Sequence, residues 1–331
     1  MEEGAIVVRA VPADGDLGAA GLLGAAVEVF VSSASRLTAA EPGATLRFGA
    51  LFYALGADIA RAEHAGLTRQ QIREMVAPVR DLFARSPFVR RAQAWPGGYP
   101  GDFETIEQVV SQANHAPEGT VAWLIESYCL GSPFAQQHRN RVAHQAGLIT
   151  KAVLRPGPAP RVLLIASGAA PDLRLVPPQI AGHGCRFVLN DYDQAALDLA
   201  QDLLGPVARC CTFIPGNVLR ALPALAAQGP YDLVLAGALF DYLPDRAARF
   251  VAGQAITRLC KPGGLFYFAT IATGNPHRCW AEYLSDWVLI ERDEPGIRRL
   301  LDDAYALIRG IRIHRDPTGL SLLTHVQRST A

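Results

Sequence analysis

Three polar residues stand just past the ends of short apolar runs: Asp172 after 161–165, Asp191 after 186–189 and Asn217 after 212–214. A carboxylate so placed can accept hydrogen bonds from sugar hydroxyls or hold an ammonium, and an amide can both donate to and accept from a base edge. Five small residues in succession, Ala166, Ser167, Gly168, Ala169 and Ala170, follow the first run. A ligand lying on a strand-to-helix turn needs small residues, because a branched Cβ would hold the backbone away. Asp191 falls about 26 residues beyond Ile165, near the spacing at which an acid meets the hydroxyls of an adenosine ribose.

Each site residue also has a plain structural reading. Asp172 would favour the N-terminal dipole of the next helix, or would hold a ligand ammonium. Asp193 reads as a helix cap, and Asn217 would cap a turn or meet an adenine edge. Tyr192 and Val218, their neighbours, count with them as candidate cofactor contacts. A fourth run, 231–236, is followed by Gly237, which lets a backbone approach, and then by Phe240, Asp241 and Tyr242, which would crown a pocket.

Only one kind of scaffold brings these residues together. The apolar runs are four to six residues long and recur at helix-sized intervals, which predicts parallel strands of a doubly wound α/β sheet. Ligands of such sheets lie outside the carboxyl ends of the strands. A fifth strand is expected at 265–270 after the turn LysProGlyGly. Helices are expected at 278–287 and 295–308. Two strands, 311–315 and 320–326, then flank AspProThrGly and close the sheet as an antiparallel hairpin.

The first 153 residues read as helical, with apolar periodicity in 17–31 and 44–64 and further helices at 87–94, 103–113, 120–128 and 133–151. Thr68 with Gln71 predicts a capped helix running to about Ala84. WPGGYPGD at 95–102 is too rich in Gly and Pro to be regular, and RPGPAP at 155–160 reads as a stiff linker. The expected division is a helical cover over 1–153, a linker at 154–160 and an α/β domain over 161–331.

Lys+Arg and Asp+Glu are both 31, so no basic excess draws the chain to nucleic acid or to an anionic membrane. A small-molecule partner is expected, and the sequence is silent on oligomeric state. The run 17–31 is too short to span a bilayer and lacks a basic leader, so a cytoplasmic protein is expected. The six cysteines show no CxxC spacing, which suits reduced, buried thiols, and no histidine spacing predicts a metal site.

From 161 to about 328 the order of these blocks resembles the class I S-adenosylmethionine (SAM) dependent methyltransferases. In that family the first block carries an acid within the strand and three glycines, where this chain has Leu164 and only Gly168. AlaSerGlyAlaAlaProAspLeu at 166–173 is instead similar to a subgroup with long helical N-termini, known among bacterial signal and natural-product enzymes, and it moves the acid to Asp172. The GYPGD segment at 98–102, the polar helix 132–142 and a tryptophan-containing helix at 283–292 match that subgroup as well.

The resemblance implies SAM as cofactor, Asp191 as ribose acid and Asn217 at the adenine. It places Tyr99 and Phe103 over the pocket, Asp102 at the methionine ammonium, and Phe134, Gln137 and Asn140 at the methionine end. Arg139 and Arg141 read as solvated charge. Two reactions follow. One is methyl transfer to a small metabolite. The other is an intramolecular cyclisation of SAM to azetidine-2-carboxylate and methylthioadenosine, with Asn140 orienting the amine. A third reading is a protein that binds SAM without turnover.

Overall fold

Val, Ile and Leu crowd the runs that begin at Arg161, and in the computed structural model these runs pair into one seven-stranded sheet. The structure describes residues 18–181 and 184–330. Its strands are β1 (Arg161–Ile165), β2 (Arg186–Asp191), β3 (Cys211–Pro215), β4 (Tyr231–Ala236), β5 (Cys260–Ile271), β6 (Ile308–Arg315) and β7 (Ser321–Arg328). Across the sheet they run β3-β2-β1-β4-β5-β7-β6. β1 to β5 are parallel, while β7 is antiparallel to both β5 and β6. Strand order reverses between β1 and β4, which opens a crevice at their carboxyl ends. The fold is thus a doubly wound, mostly parallel sheet closed by an antiparallel hairpin, with a helical N-terminal region.

Among the described residues, eight helices precede the sheet: α1 (Ala19–Ala34), α2 (Ala44–His64), α3 (Arg69–Met75), α4 (Ala77–Phe83), α5 (Pro87–Ala94), α6 (Phe103–Ser111), α7 (Val121–Gly131) and α8 (Pro133–Leu154). Residue 17, where the first expected helix begins, lies outside the described residues. The expected capping box is present, with Thr68 and Gln71 bonding reciprocally. The helix it opens divides at Val76, because Pro78 has no N–H to continue the ladder.

Phe30, Phe48, Phe52 and Phe83 form the centre of the helical core, and Trp280, Tyr283 and Trp287 from far along the chain join it. α8 belongs to two cores. Phe134 and Ala135 pack in the helical one, while Ala146 and Ile149 pack against β1 beside Val162 and Leu164. The boundary expected at 153 is therefore bridged by a helix that carries one face from the roof to the sheet. Residues 155–159 are exposed between α8 and β1.

Two expected helices are corrected. The first stops at Leu284; from there Asp286 takes φ 54° and the chain runs extended, tied to the sheet by Ile290 N–H to Asp241 O at 2.8 Å and Arg292 N–H to Ile271 O at 2.9 Å. The second is reduced to Glu294–Arg299 and a 3₁₀ turn at Asp302–Leu307. Strand pairing with β7 claims Ile308 onward, where Ile311 and Ile313 alternate at the sheet period.

Candidate functional site

The turn after β1 takes its shape from left-handed residues: Ala166, Gly168 and Ala170 have φ of 51°, 53° and 53°. Such φ values disfavour any side chain, and alanine carries the least. Two bonds lock this turn to the end of β2, Ser167 N–H to Asn190 O at 3.0 Å and Gly168 N–H to Asp191 Oδ2 at 2.7 Å. Asp191 accepts a further bond from Asp193 N–H at 3.0 Å. Each of its oxygens keeps a second lone pair, so capacity remains for two hydroxyls. Burial raises its carboxyl above the ordinary range, although these backbone donors oppose the rise.

Asp172 is 5% exposed and accepts from Leu173 N–H at 2.8 Å. Burial pushes its carboxyl up to about 6. It lines a cavity of about 530 Å³ together with Ala166, Gly168, Asp191, Tyr192, Asn217 and Gly237. Asn217 caps the helix Val218–Gln228 through Oδ1, which accepts from Leu219 N–H at 2.9 Å; that bond does not use the amide nitrogen. Tyr99 lines the cavity from the GYPG loop, its ring edge-on to Tyr192 at 6.4 Å. Burial and the charges of Asp191, Asp193 and Asp102 raise its phenol, which stays protonated. The loop lies close over the rim. Gly101 has φ 66°, and a Cβ there would fall 2.6 Å from both Trp287 Cζ2 and the Tyr242 hydroxyl.

Four expected site residues lie elsewhere. Asp102 caps α6 by accepting from Thr105 N–H at 2.9 Å; it also accepts from Gly97 N–H at 3.3 Å and two bonds from Arg91 at 3.2 and 2.6 Å. Burial works to raise its carboxyl, but Arg91 and Thr105 outweigh it and hold it below the usual range. It is absent from the cavity wall, and an ammonium would find its oxygens already taken. Asn140 donates to Asp316 Oδ2 at 2.8 Å and accepts from Gln136 at 2.9 Å, also off the wall. Phe240 is fully buried and stacks on Phe268 at 4.3 Å. Val218 turns into the sheet core with Ala221, Leu222 and Leu225, the inward face of its helix.

Gly237 serves an unexpected purpose. A Cβ there would fall 2.2 Å from Gln145 Nε2, so its bareness admits α8 to the rim. The expectation of solvated charge on α8 is corrected too. Arg141 is 1% exposed and donates to Asp241 Oδ2 at 2.5 Å, Ser321 Oγ at 2.8 Å and Gly237 O at 3.2 Å, while its Nη2 is buried with no hydrogen-bond partner among the described residues. Asp241 completes the pair by accepting from Ile271 N–H at 2.7 Å. Arg139 donates inward to Val109 O at 3.0 Å and Leu130 O at 2.9 Å.

Phe134, His138, Arg141 and Gln145 all line the cavity from α8. Their spacing of four, three and four residues is the sequence signal that marks them as one face. Above the rim the wall turns apolar, with Phe134 edge-on to Trp280 at 5.3 Å and to Trp287 at 5.9 Å. One cavity thus has a polar floor on the sheet and an aromatic roof among the helices. Among the described residues no group of three or more His, Cys, Asp or Glu is placed to hold a metal ion. None of the six cysteines is in a disulfide. Among the described residues, no helix is long and apolar enough to cross a membrane.

Residues 174–268 match a family model described as a methyltransferase domain. The match takes in Asp191, Asn217 and Gly237 and begins just after the small-residue turn. Among solved structures, a protein from Bordetella parapertussis described as a possible exported protein is 16% identical with a TM-score of 0.56, covering 95% of this chain and 97% of its own. That likeness is one of fold, and it includes the helical half. An O-methyltransferase family protein from Burkholderia thailandensis is 17% identical with a TM-score of 0.47, covering 94% of this chain and 95% of its own. The N-methyltransferase NodS from Bradyrhizobium japonicum is 16% identical with a TM-score of 0.42, covering 68% of this chain and 97% of its own. No curated protein matches the sequence.

Proposed function

We propose that this chain is a SAM-dependent methyltransferase acting on a small molecule, in the bacterial small-metabolite setting of the subgroup it resembles. One observation carries the reading. Two buried carboxylates without a cationic side chain, Asp172 and Asp191, line one cavity at the sheet's switch point beside a turn of small residues. When bound there, SAM brings a methyl carbon already activated by its sulfonium. Asp191 would accept from the ribose hydroxyls, Asn217 would meet the adenine, and Asp172 would hold the ammonium. The spare Arg141 Nη2 suits a carboxylate or carbonyl oxygen. Tyr99 and the GYPG loop exclude water from above, and the aromatic roof tolerates a cation that vanishes as the reaction proceeds.

Cyclisation is less well supported. Asn140, the amide that would orient the amine, is held by Asp316, and a carboxylate at the ammonium keeps the amine protonated. Incubation of the purified protein with SAM separates the readings. S-adenosylhomocysteine that appears only with an added metabolite extract is the expected result. Methylthioadenosine formed from SAM alone would replace transfer with cyclisation, and tight retention of unaltered SAM under both conditions would leave a binding protein.

A further inference from the structure

The methyltransferase reading leaves the acceptor open, and the inference below rests on that reading. α8 lays out the cavity wall in order. Its rise of about 1.5 Å per residue puts His138 about 6 Å along the axis from Phe134, Arg141 about 4.5 Å further and Gln145 about 6 Å beyond that. Phe134 belongs to the aromatic roof, and Arg141 and Gln145 meet Gly237 at the rim. His138 therefore occupies the level between roof and rim, where an acceptor held by the one would meet a methyl group carried by the other.

Charge narrows the acceptor. Among the described residues, the cavity wall carries Asp172, Asp191 and Asp241 against Arg141, and no other Asp, Glu, Lys or Arg lines it. Three negative charges and one positive leave two negative. SAM, with an ammonium, a sulfonium and a carboxylate, brings one net positive charge, so the loaded cavity is still negative. A carboxylate acceptor would add charge of the same sign in a water-poor space, which is costly. A neutral acceptor adds none.

The roof itself is Phe88, Ile106, Val109, Cys129, Phe134, Trp280, Trp287 and Leu289, with ring planes at 78° and 84° that offer both faces and edges. Such walls favour an aromatic guest. Trp280 Nε1, buried with no hydrogen-bond partner among the described residues, is a spare donor for a ring substituent. We propose that the roof takes a neutral hydroxylated aromatic as methyl acceptor, and that His138 receives the proton its hydroxyl gives up.

The step balances. A lone pair on the hydroxyl oxygen forms the bond to the methyl carbon, and the carbon–sulfur pair withdraws onto sulfur as a neutral thioether. The O–H pair stays on oxygen, and the proton passes to the imidazole and then to water. A sulfonium charge is lost as an imidazolium charge appears, so the cavity's net charge holds constant through the step. Burial first, then Arg141 and Arg139, push the His138 ring down to about 3, so it enters the reaction uncharged. That basicity suffices, because the oxygen being methylated is a far stronger acid than imidazolium.

The test uses the full-length protein with phenol, 2-naphthol and 4-methylcatechol as probes, against decanoate and phenethylamine. Quenching of tryptophan fluorescence in the S-adenosylhomocysteine complex reads binding at the roof, calorimetry reads SAM affinity, and S-adenosylhomocysteine release reads turnover. We expect the hydroxylated aromatics to quench and to turn over. His138→Gln should leave SAM affinity within about twofold and lower turnover about 100-fold, within the usual range for a lost proton acceptor. Free imidazole should restore part of the turnover of His138→Ala, which a merely structural role would not allow. Turnover of decanoate or phenethylamine with none of the phenols overturns the acceptor assignment alone. So does SAM binding without phenol quenching, whereas a His138→Gln variant that keeps its rate overturns the proton-acceptor role of His138. Failure of the parent protein to bind SAM takes the methyltransferase reading down as well.

Discussion

Glu126 and Asp172 are both buried carboxylates, and the two halves of the molecule treat them in opposite ways. Glu126, in the helical half, accepts from Ser86 Oγ at 2.7 Å, Phe88 N–H at 3.0 Å, Gln108 Nε2 at 2.9 Å and His115 N–H at 2.6 Å. Four donors from three segments converge on it, so it ties the helices together. Asp172, at the sheet rim, is met by backbone N–H groups of its own turn and is in no salt bridge among the described residues, and burial raises it to about 6. On the reading proposed above, a buried charge left so poorly met is a cost the fold carries for a ligand. The difference would then separate a carboxylate that builds the protein from one that waits for a partner.

Opposite signs of stability change would sharpen this contrast. Glu126→Ala strands four donors, and the expected loss is about 4 kcal/mol or more by urea denaturation. A loss under about 1 kcal/mol would end its role as a hub. Asp172→Asn should instead stabilise the free protein at pH 7, on the order of 1–3 kcal/mol. The sign follows from linkage. The folded carboxyl titrates near 6 and the unfolded one near its ordinary 3.8, so the folded state binds more protons between them. Stability from this group is therefore full below the unfolded value and is lost as pH rises through about 6.

The same variant should lose SAM affinity about 10- to 100-fold, the scale of a charge-assisted bond. In the parent protein, calorimetric affinity should weaken as pH falls from 7 to 5, because proton and ammonium compete for one carboxylate; in Asp172→Asn that slope should vanish. A parent affinity independent of pH would remove Asp172 from the ammonium. Asp191→Ala should lower SAM affinity about tenfold or more, since two hydroxyls lose a charged acceptor. An unchanged affinity would put the ribose elsewhere. The smallest effect belongs to the helical half alone: Thr68→Ala removes a capping box and should cost about 1 kcal/mol with SAM affinity untouched.

The rim was largely legible in the residues. Gly168, Asp172, Asp191 and Asn217 announce themselves because a strand end, a small-residue turn and a polar residue follow each other within a few positions, and local backbone geometry does the placing. The roof was not legible in the same way. Asp102 looked free beside a flexible Gly-Pro segment, yet Arg91, eleven residues earlier, closes on it. Arg141 looked like surface charge, yet Asp241 and Ser321 reach it from 100 and 180 residues away. Asn140 faced the right helical side by count, yet the tip of the closing hairpin holds it through Asp316.

By itself the sequence determined what depends on periodicity and near neighbours: the sheet, its hairpin, the caps and the floor of the cavity. These are short-range matters, set by hydrogen-bond ladders, turn dihedrals and the alternation of apolar residues. Only the tertiary structure decided which charges remain unmet and which aromatic rings share a wall. Phe134 lies more than a hundred residues along the chain from Trp280 and Trp287, and nothing local to it says that it meets them. The ligand chemistry of the cavity depends on that sum of distant contributions, because a buried charge is free for a partner only if no other segment has folded back to satisfy it.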